Sequence, residues 1–189
     1  SAPGGGSASA AIAAMGAGLG SMVAKLTLGV RKFEDVDAKM RELIPPLHGA
    51  AHALIPMIDA DTNAFTDYVS ALSLPRGTKE EKAFRQEQLQ LGLKTAIEVP
   101  LATMKTGNAA WEAMVEVARL GNFASRSDVE VGARALEMGI WGAYKNVVIN
   151  MKDITDQGYK SKTMAQAEAI KDRAAVMCEK VLSTLENRA

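Results

Sequence analysis

From Ala8 to Ala24 the chain carries no charged residue and is built mainly of Ala, Gly and Ser. This stretch limits the fold more than any other. It is short of the ~20 apolar residues that a membrane span needs, and it is poor in Leu and Ile. No basic residues precede it, as they should before a signal-peptide core. The remaining reading is a buried helix with a small-residue surface. Three glycines ahead of it, Gly4 to Gly6, predict a loop, with Ser7 as the N-cap of a helix that runs to about Val30. Gly29 and the basic pair Arg31-Lys32 mark its end.

The rest of the chain agrees with a helical partner set. Its 189 residues suit one domain with a real core. Aromatics are only 5% while Ala and the 10 Met are plentiful, which favours helices over sheets. No stretch alternates with period two, so the fold class is all-α: a single-domain bundle of five or more helices around two central small-residue helices. Lys+Arg and Asp+Glu both count 22, and a neutral chain is not built to coat a phosphate backbone, so no nucleic-acid partner is expected. One cysteine, Cys178, excludes an intramolecular disulfide framework and fits a reducing, cytoplasmic compartment. The chain starts at Ser1 without an initiator Met and reads as a fragment or a processed product.

Punctuation divides the chain further. From Glu34 to about Leu74 the apolar spacing is helical, and Pro45-Pro46 and Pro56 predict shorter pieces with kinks or breaks. Leu74-Pro75-Arg76-Gly77 is a turn, and Thr78-Lys79-Glu80-Glu81 matches a capping box. A charged helix follows to about Lys105, kinked near Pro100. Asn108 caps a helix through Trp111 to Leu120, and Gly121-Asn122 ends it. Ser127-Asp128-Val129-Glu130 reads as a second capping box opening a helix to about Met151. The last helix runs from Ser161–Thr163 to about Asn187.

Four patterns bear on chemistry. The Gly-rich start is either a flexible helix entry or an anion cradle of free amides at a helix N-terminus. On the Ser127 helix, Asp128, Gly132, Ala135, Gly139, Gly142, Asn146 and Asn150 share one face, tiny in the middle and polar at both ends. That face allows close helix packing or a flat ligand. Asp59 and Asp61 stand two apart, so on a helix they point to nearly opposite sides and at most one lines a given pocket. Two acids near Pro56 also fit a helix start. His48 and His52 have the spacing of helical zinc ligands but lack a third, so no metal site is expected.

The wording of the chain goes further. Ala2-Pro3-Gly4-Gly5-Gly6-Ser7, Leu43-Ile44-Pro45-Pro46, Asp59-Ala60-Asp61 with Ala64-Phe65, and Val99-Pro100-Leu101 resemble the cyclodeaminase domain of formiminotransferase-cyclodeaminase. So do Gly121-Asn122, Ser127-Asp128, Gly142-Ala143-Tyr144-x-Asn146-Val147, Ile149-Asn150 and Asp153-Ile154-Thr155-Asp156, in family order up to about Lys160. The resemblance implies one cyclodeaminase domain over 1–189, with a Gly-rich loop at 1–7 and a C-terminal helical segment at 155–189.

It also implies a lyase that converts 5-formimidoyltetrahydrofolate to 5,10-methenyltetrahydrofolate and ammonia in histidine degradation. A methenyltetrahydrofolate cyclohydrolase is the alternative, and a non-catalytic folate-binding or assembly module a second. Asp61 is the implied catalytic residue, because similar sequences read acid-x-Asp-x-x-Ala-aromatic. Asn122, Asp128, Tyr144, Asn146 and Asn150 are expected to hold the pterin or the tetrahedral intermediate. Lys25 or Arg31 would meet the glutamate tail, and Gly4, Gly5, Gly6 and Ser7 would cradle carboxylates. The chemistry requires no metal or redox cofactor. The implied partners are the folate substrate, a second copy in a homodimer with the cleft near the subunit interface, and a formiminotransferase domain or protein.

Overall fold

The computed structural model describes residues 4–188. Ala2 and Pro3, part of the predicted N-terminal loop, lie outside the described residues. Six α-helices form an all-α bundle, with no strand among the described residues: α1 (Gly5–Thr27), α2 (Asp37–Leu72), α3 (Lys79–Ala109), α4 (Trp111–Leu120), α5 (Arg126–Asn150) and α6 (Gln157–Glu186).

Helix α1 is the centre, for the reason its composition suggests. Without bulky side chains it lets neighbours approach to backbone contact. A Cβ on Gly16 would stand 2.6 Å from the Leu136 nitrogen and 2.7 Å from the Gly132 oxygen. One on Gly139 would stand 2.6 Å from both N and Cβ of Ala13. The small-residue faces of α1 and α5 therefore pack on each other, antiparallel, and the middle of the α5 stripe is contact surface rather than ligand space. Helix α2 crosses the other flank of α1, also antiparallel, with Leu47 beside Gly20 and Asp61 beside Gly6. Behind them Leu54, Ile97, Met104, Trp111, Met114, Leu136, Ile140 and Leu185 are fully enclosed in the core.

With 23 residues, α1 exceeds the length of a membrane span and is apolar enough to be one, contrary to the expectation from Ala8 to Ala24. It is nonetheless a core helix: 56% of its apolar window is buried inside the protein.

Several boundaries differ from the sequence-based expectation. Gly5, Gly6 and Ser7 are helical, and Gly4 is the N-cap without a side-chain bond. Helix α2 is one 36-residue element in spite of Pro45, Pro46 and Pro56. All three prolines are exposed, so the carbonyls they leave unpaired one turn back meet water, and the core contacts of the opposite face hold the helix together. The two acids therefore sit mid-helix, not at a helix start.

Helix α3 runs through Pro100 to Ala109, so Asn108 belongs to its last turn and caps nothing. The second capping box does not form. A 3₁₀ turn (Phe123–Ser125) leads straight into α5, which places Ser127 inside the first turn, and Glu130 pairs with Arg126 Nε at 2.7 Å. Helix α6 begins four residues before Ser161, capped by Asp156, which accepts from the Tyr159 amide at 2.9 Å. The Thr78–Glu81 box forms as expected: Thr78 Oγ1 accepts from the Glu81 amide at 3.1 Å, and Glu81 Oε2 accepts from the Thr78 amide at 3.0 Å.

Candidate active site

Helix α1 begins at Gly5 and is shorter than α2, α3 and α5. Beyond its N-terminus α2, α3 and α5 continue and enclose a cavity of about 330 Å³. Gly4 and Gly5 form its base, and Asp61, Thr62, Phe65 and Tyr68 come from α2. Ala96 comes from α3, and Asn146, Ile149 and Asn150 from α5. Phe65 and Ile149, both more than half exposed, form the rim.

Asp61 is tied to the first turn of α1. Its Oδ2 accepts from the Ser7 amide at 2.8 Å and from the Ser7 hydroxyl at 2.9 Å. The Thr62 hydroxyl lies 3.2 Å from Ser7 Oγ and also reaches the Ile58 carbonyl at 3.4 Å. A helix leaves its first amides unsatisfied, and an N-cap side chain ordinarily serves the third of them. Here Gly4 has no side chain, and a carboxylate from the neighbouring helix does that work. Ser7 is thus a hydrogen-bond donor to Asp61 and not an N-cap. The positive end of α1 faces this carboxylate, which engages the Ser7 amide, while Gly4 and Gly5 line the cavity. Oδ1 of Asp61 has no hydrogen bond among the described residues. Asp59 projects the other way and is exposed, as the two-residue spacing requires.

The fit at Gly6 is close. A Cβ there would stand 2.5 Å from Asp61 Cγ and 2.7 Å from Oδ2, with Oδ1 nearer still. Only glycine lets the carboxylate reach the helix end.

The two asparagines are oriented by their amide nitrogens. Asn146 Nδ2 donates to the Gly142 carbonyl at 2.8 Å, and Asn150 Nδ2 donates to the Ala96 carbonyl at 3.0 Å. A backbone carbonyl only accepts, so neither amide can turn its oxygen to that side. The Ala96 carbonyl is free for Asn150 because its usual partner one turn on is Pro100, which has no N–H. Pro100 therefore shapes the cavity wall by leaving one acceptor in α3 unclaimed.

The other expected residues lie elsewhere. In α1, Lys25 is 20 positions after Gly5, about 30 Å away along the axis. Arg31 opens the 3₁₀ turn beyond it (Arg31–Val36). Asn122 is at the same far end, its amide donating to Thr27 Oγ1 at 2.8 Å and its Oδ1 accepting from the Ala124 amide. Asp128 is in the first turn of α5, at the opposite end from Asn150. Tyr144 is not in the cavity: it packs on the core, with Lys171 Nζ 5.2 Å and Lys145 Nζ 5.7 Å from its ring centre. His48 and His52 are exposed neighbours with ring centres 4.3 Å apart, and the positive charge of Lys25 lowers the pKa of His48. No group of three metal-ligating side chains occurs among the described residues. Thr62 and Tyr68 were not foreseen as site residues, although continuing the helical spacing from Asp61 gives Phe65 and Tyr68 directly.

Residues 1–169 match the family model described as formiminotransferase-cyclodeaminase. The chain is 48% identical to formimidoyltransferase-cyclodeaminase of Sus scrofa and 50% identical to that of Dictyostelium discoideum, each over 99% of this chain. It spans only 35% and 34% of their lengths. It is 34% identical to methenyltetrahydrofolate cyclohydrolase of Methylorubrum extorquens, over 98% of this chain and 89% of that protein. Formiminotetrahydrofolate cyclodeaminase from Thermotoga maritima has the same fold, with TM-score 0.85, 25% identity and coverage of 98% and 88% of the two chains. The matched length, the shared bundle and the ordered run of motifs converge: the chain belongs to the formiminotransferase-cyclodeaminase family.

Proposed function

We propose that this domain closes 5-formimidoyltetrahydrofolate to 5,10-methenyltetrahydrofolate with release of ammonia. The observation that carries the reading is Asp61, held through Oδ2 at the start of α1, its Oδ1 without a hydrogen bond among the described residues, and lining a cavity walled by amides and aromatic rings. N10 attacks the carbon of the protonated formimidoyl group, and the C=N electron pair moves to the terminal nitrogen. Asp61 takes the proton from N10 and gives it to that nitrogen. The carbon–nitrogen bond then breaks, ammonia leaves, and the positive charge stays on the N5–C–N10 unit. One carboxylate serves both transfers, and the scheme requires neither metal nor redox cofactor.

Asp61→Asn keeps size and polarity but cannot move a proton, so turnover should fall by ~10²–10⁴-fold with folate affinity changed far less. Asp59→Asn, on the exposed side, should leave both near wild type. Normal turnover in Asp61→Asn refutes the assignment. The Methylorubrum extorquens relative, matched over most of its length, favours a second reading, hydrolysis of methenyltetrahydrofolate to 10-formyltetrahydrofolate. Assaying both folates separates the two by ammonia, and binding without either product would leave a non-catalytic module.

The wider setting is also proposed: a cytoplasmic step of histidine degradation, supplied by a formiminotransferase domain or protein. A homodimer is supported by the outward face of α1, where Met15, Met22 and Leu26 are 66%, 37% and 50% exposed on a helix with no charge before Lys25. Lys25 and His48 lie together at one end of this face. A second copy laid antiparallel would bring its own far end, with Lys25, Arg31, Asn122 and Asp128, toward the cavity. Sedimentation at twice 20.0 kDa would support the dimer, and a fully active monomer would refute it.

A further inference from the structure

Pro100 differs from the other prolines inside helices. Pro45, Pro46 and Pro56 are exposed, whereas Pro100 is buried. Proline is the least favourable residue in a helix interior, and α3 nevertheless runs through it unbroken. The carbonyl it frees is that of Ala96, and the ring also clashes with that oxygen and tilts it off the helix axis. A carbonyl freed beside a buried proline needs a donor from the protein. Asn150 Nδ2 supplies it at 3.0 Å, from α5, 54 residues away in sequence. Asn150 is the last residue of α5, and among the described residues its side chain makes this hydrogen bond alone. Ala96 and Asn150 both line the cavity, and Pro100 does not.

Resting on the cyclodeaminase reading, we infer that Pro100 is a positioning residue: lacking an N–H, it reserves the Ala96 carbonyl for Asn150 and so fixes an amide on the wall of the folate cavity. Asn146 needs no such help. Its Nδ2 bonds at 2.8 Å to Gly142, one turn back on its own helix, where the carbonyl already points toward it. Asn150 reaches its acceptor from a different helix. A carbonyl bonded along the α3 axis points at the next turn and not across to α5, so an N–H at position 100 would draw the acceptor away. The released amide would then sample several rotamers, and substrate binding would have to order it again, at a loss of affinity. The role therefore belongs to the missing hydrogen and not to a kink.

The test is a double-mutant cycle. Pro100→Ala restores the N–H with a smaller side chain and Pro100→Val with a slightly larger one, so a loss common to both belongs to the N–H and not to packing. Each should lower kcat/KM for 5-formimidoyltetrahydrofolate by about five- to tenfold, mostly through KM. Asn150→Leu should lower it by about tenfold, and Pro100→Ala added to Asn150→Leu should lower it no further. Pro56→Ala makes the same backbone change at an exposed position and should leave kcat/KM at the wild-type value. A second readout needs no ligand. By NMR, one Asn150 amide hydrogen should be protected from exchange in the wild-type protein and neither in Pro100→Ala or Pro100→Val. Melting temperatures check that each variant is folded. Losses that add in the double variant, or Asn150 amide signals unchanged by both position-100 variants, overturn the inference. Unfolding of both position-100 variants overturns it too, since the proline would then serve the fold itself. Failure of the wild-type protein to release ammonia refutes the cyclodeaminase reading instead, and the amide signals still decide the role of Pro100.

Discussion

Replacing Gly6 by Ala tests the link between the fold and the candidate chemistry with one methyl group. The new Cβ would fall 2.5 Å from Asp61 Cγ and 2.7 Å from Oδ2. Ordinary carbon contacts need about 3.5 Å or more, so the carboxylate must withdraw by roughly 1 Å. Withdrawal loosens two hydrogen bonds to Ser7, each charge-assisted. Overpacking of this kind costs about 1–3 kcal/mol, from which the better helix propensity of Ala recovers up to ~1 kcal/mol. For a chain this long the melting temperature should fall by about 2–6 °C. Turnover should suffer more, since a 1 Å misplacement of a reacting group costs about 10²-fold. Gly49→Ala is the control, because no atom lies within 4 Å of its Cβ and α2 should gain stability. Ammonia release and calorimetric melting on the two variants decide the matter. If Gly6→Ala melts and turns over like wild type, Asp61 is not held where the structure puts it, and the proton shuttle must be sought elsewhere.

Gly139→Leu drives a side chain into Ala13, where α1 and α5 meet at backbone distance, and should lower stability by about 1–3 kcal/mol in urea unfolding. Cys178 is buried and burial pushes its thiol up to about 12, so a thiol reagent at pH 8 should label it only after denaturation. The Asp156 carboxyl is held below its usual range, first by the Tyr159 amide it caps and then by Lys94. Its charge therefore stabilises the fold above the unfolded value of about 4, and that contribution is lost as pH falls through the lower folded value. The melting gap between wild type and Asp156→Asn should accordingly close under acid, and a gap constant from pH 7 to 2 would refute the role.

Fold class and chain order were legible in the residues because they depend on local rules. Small, uncharged residues from Ala8 to Ala24 cannot stand alone in water and need close helical neighbours. Thr78 and Glu81 satisfy each other within four residues, so their cap survives into the folded chain. The opposite directions of Asp59 and Asp61 follow from helix geometry alone. Reading failed where a local rule competes with a distant contact. Pro45, Pro46 and Pro56 weaken a helix locally, but the buried face of α2 outweighs them. Ser7 has the chemistry of an N-cap, yet the acceptor that serves the first turn of α1 is a carboxylate 54 residues away. Pro100 predicts a kink, and what it leaves unpaired is the carbonyl that orients Asn150.

Gly4, Gly5, Asp61, Asn146 and Asn150 can be named from the sequence and do line the cavity, but which of the expected residues would meet was beyond it. Asp61, Asn146 and Asn150 meet because α1 stops short between longer helices, and Lys25, Arg31, Asn122 and Asp128 are about 30 Å away because α1 and α5 run antiparallel. Periodicity says which residues share a face of one helix. Which faces meet, and at what register, depends on how side chains from several helices fill one volume, and that is settled only when all of them pack together.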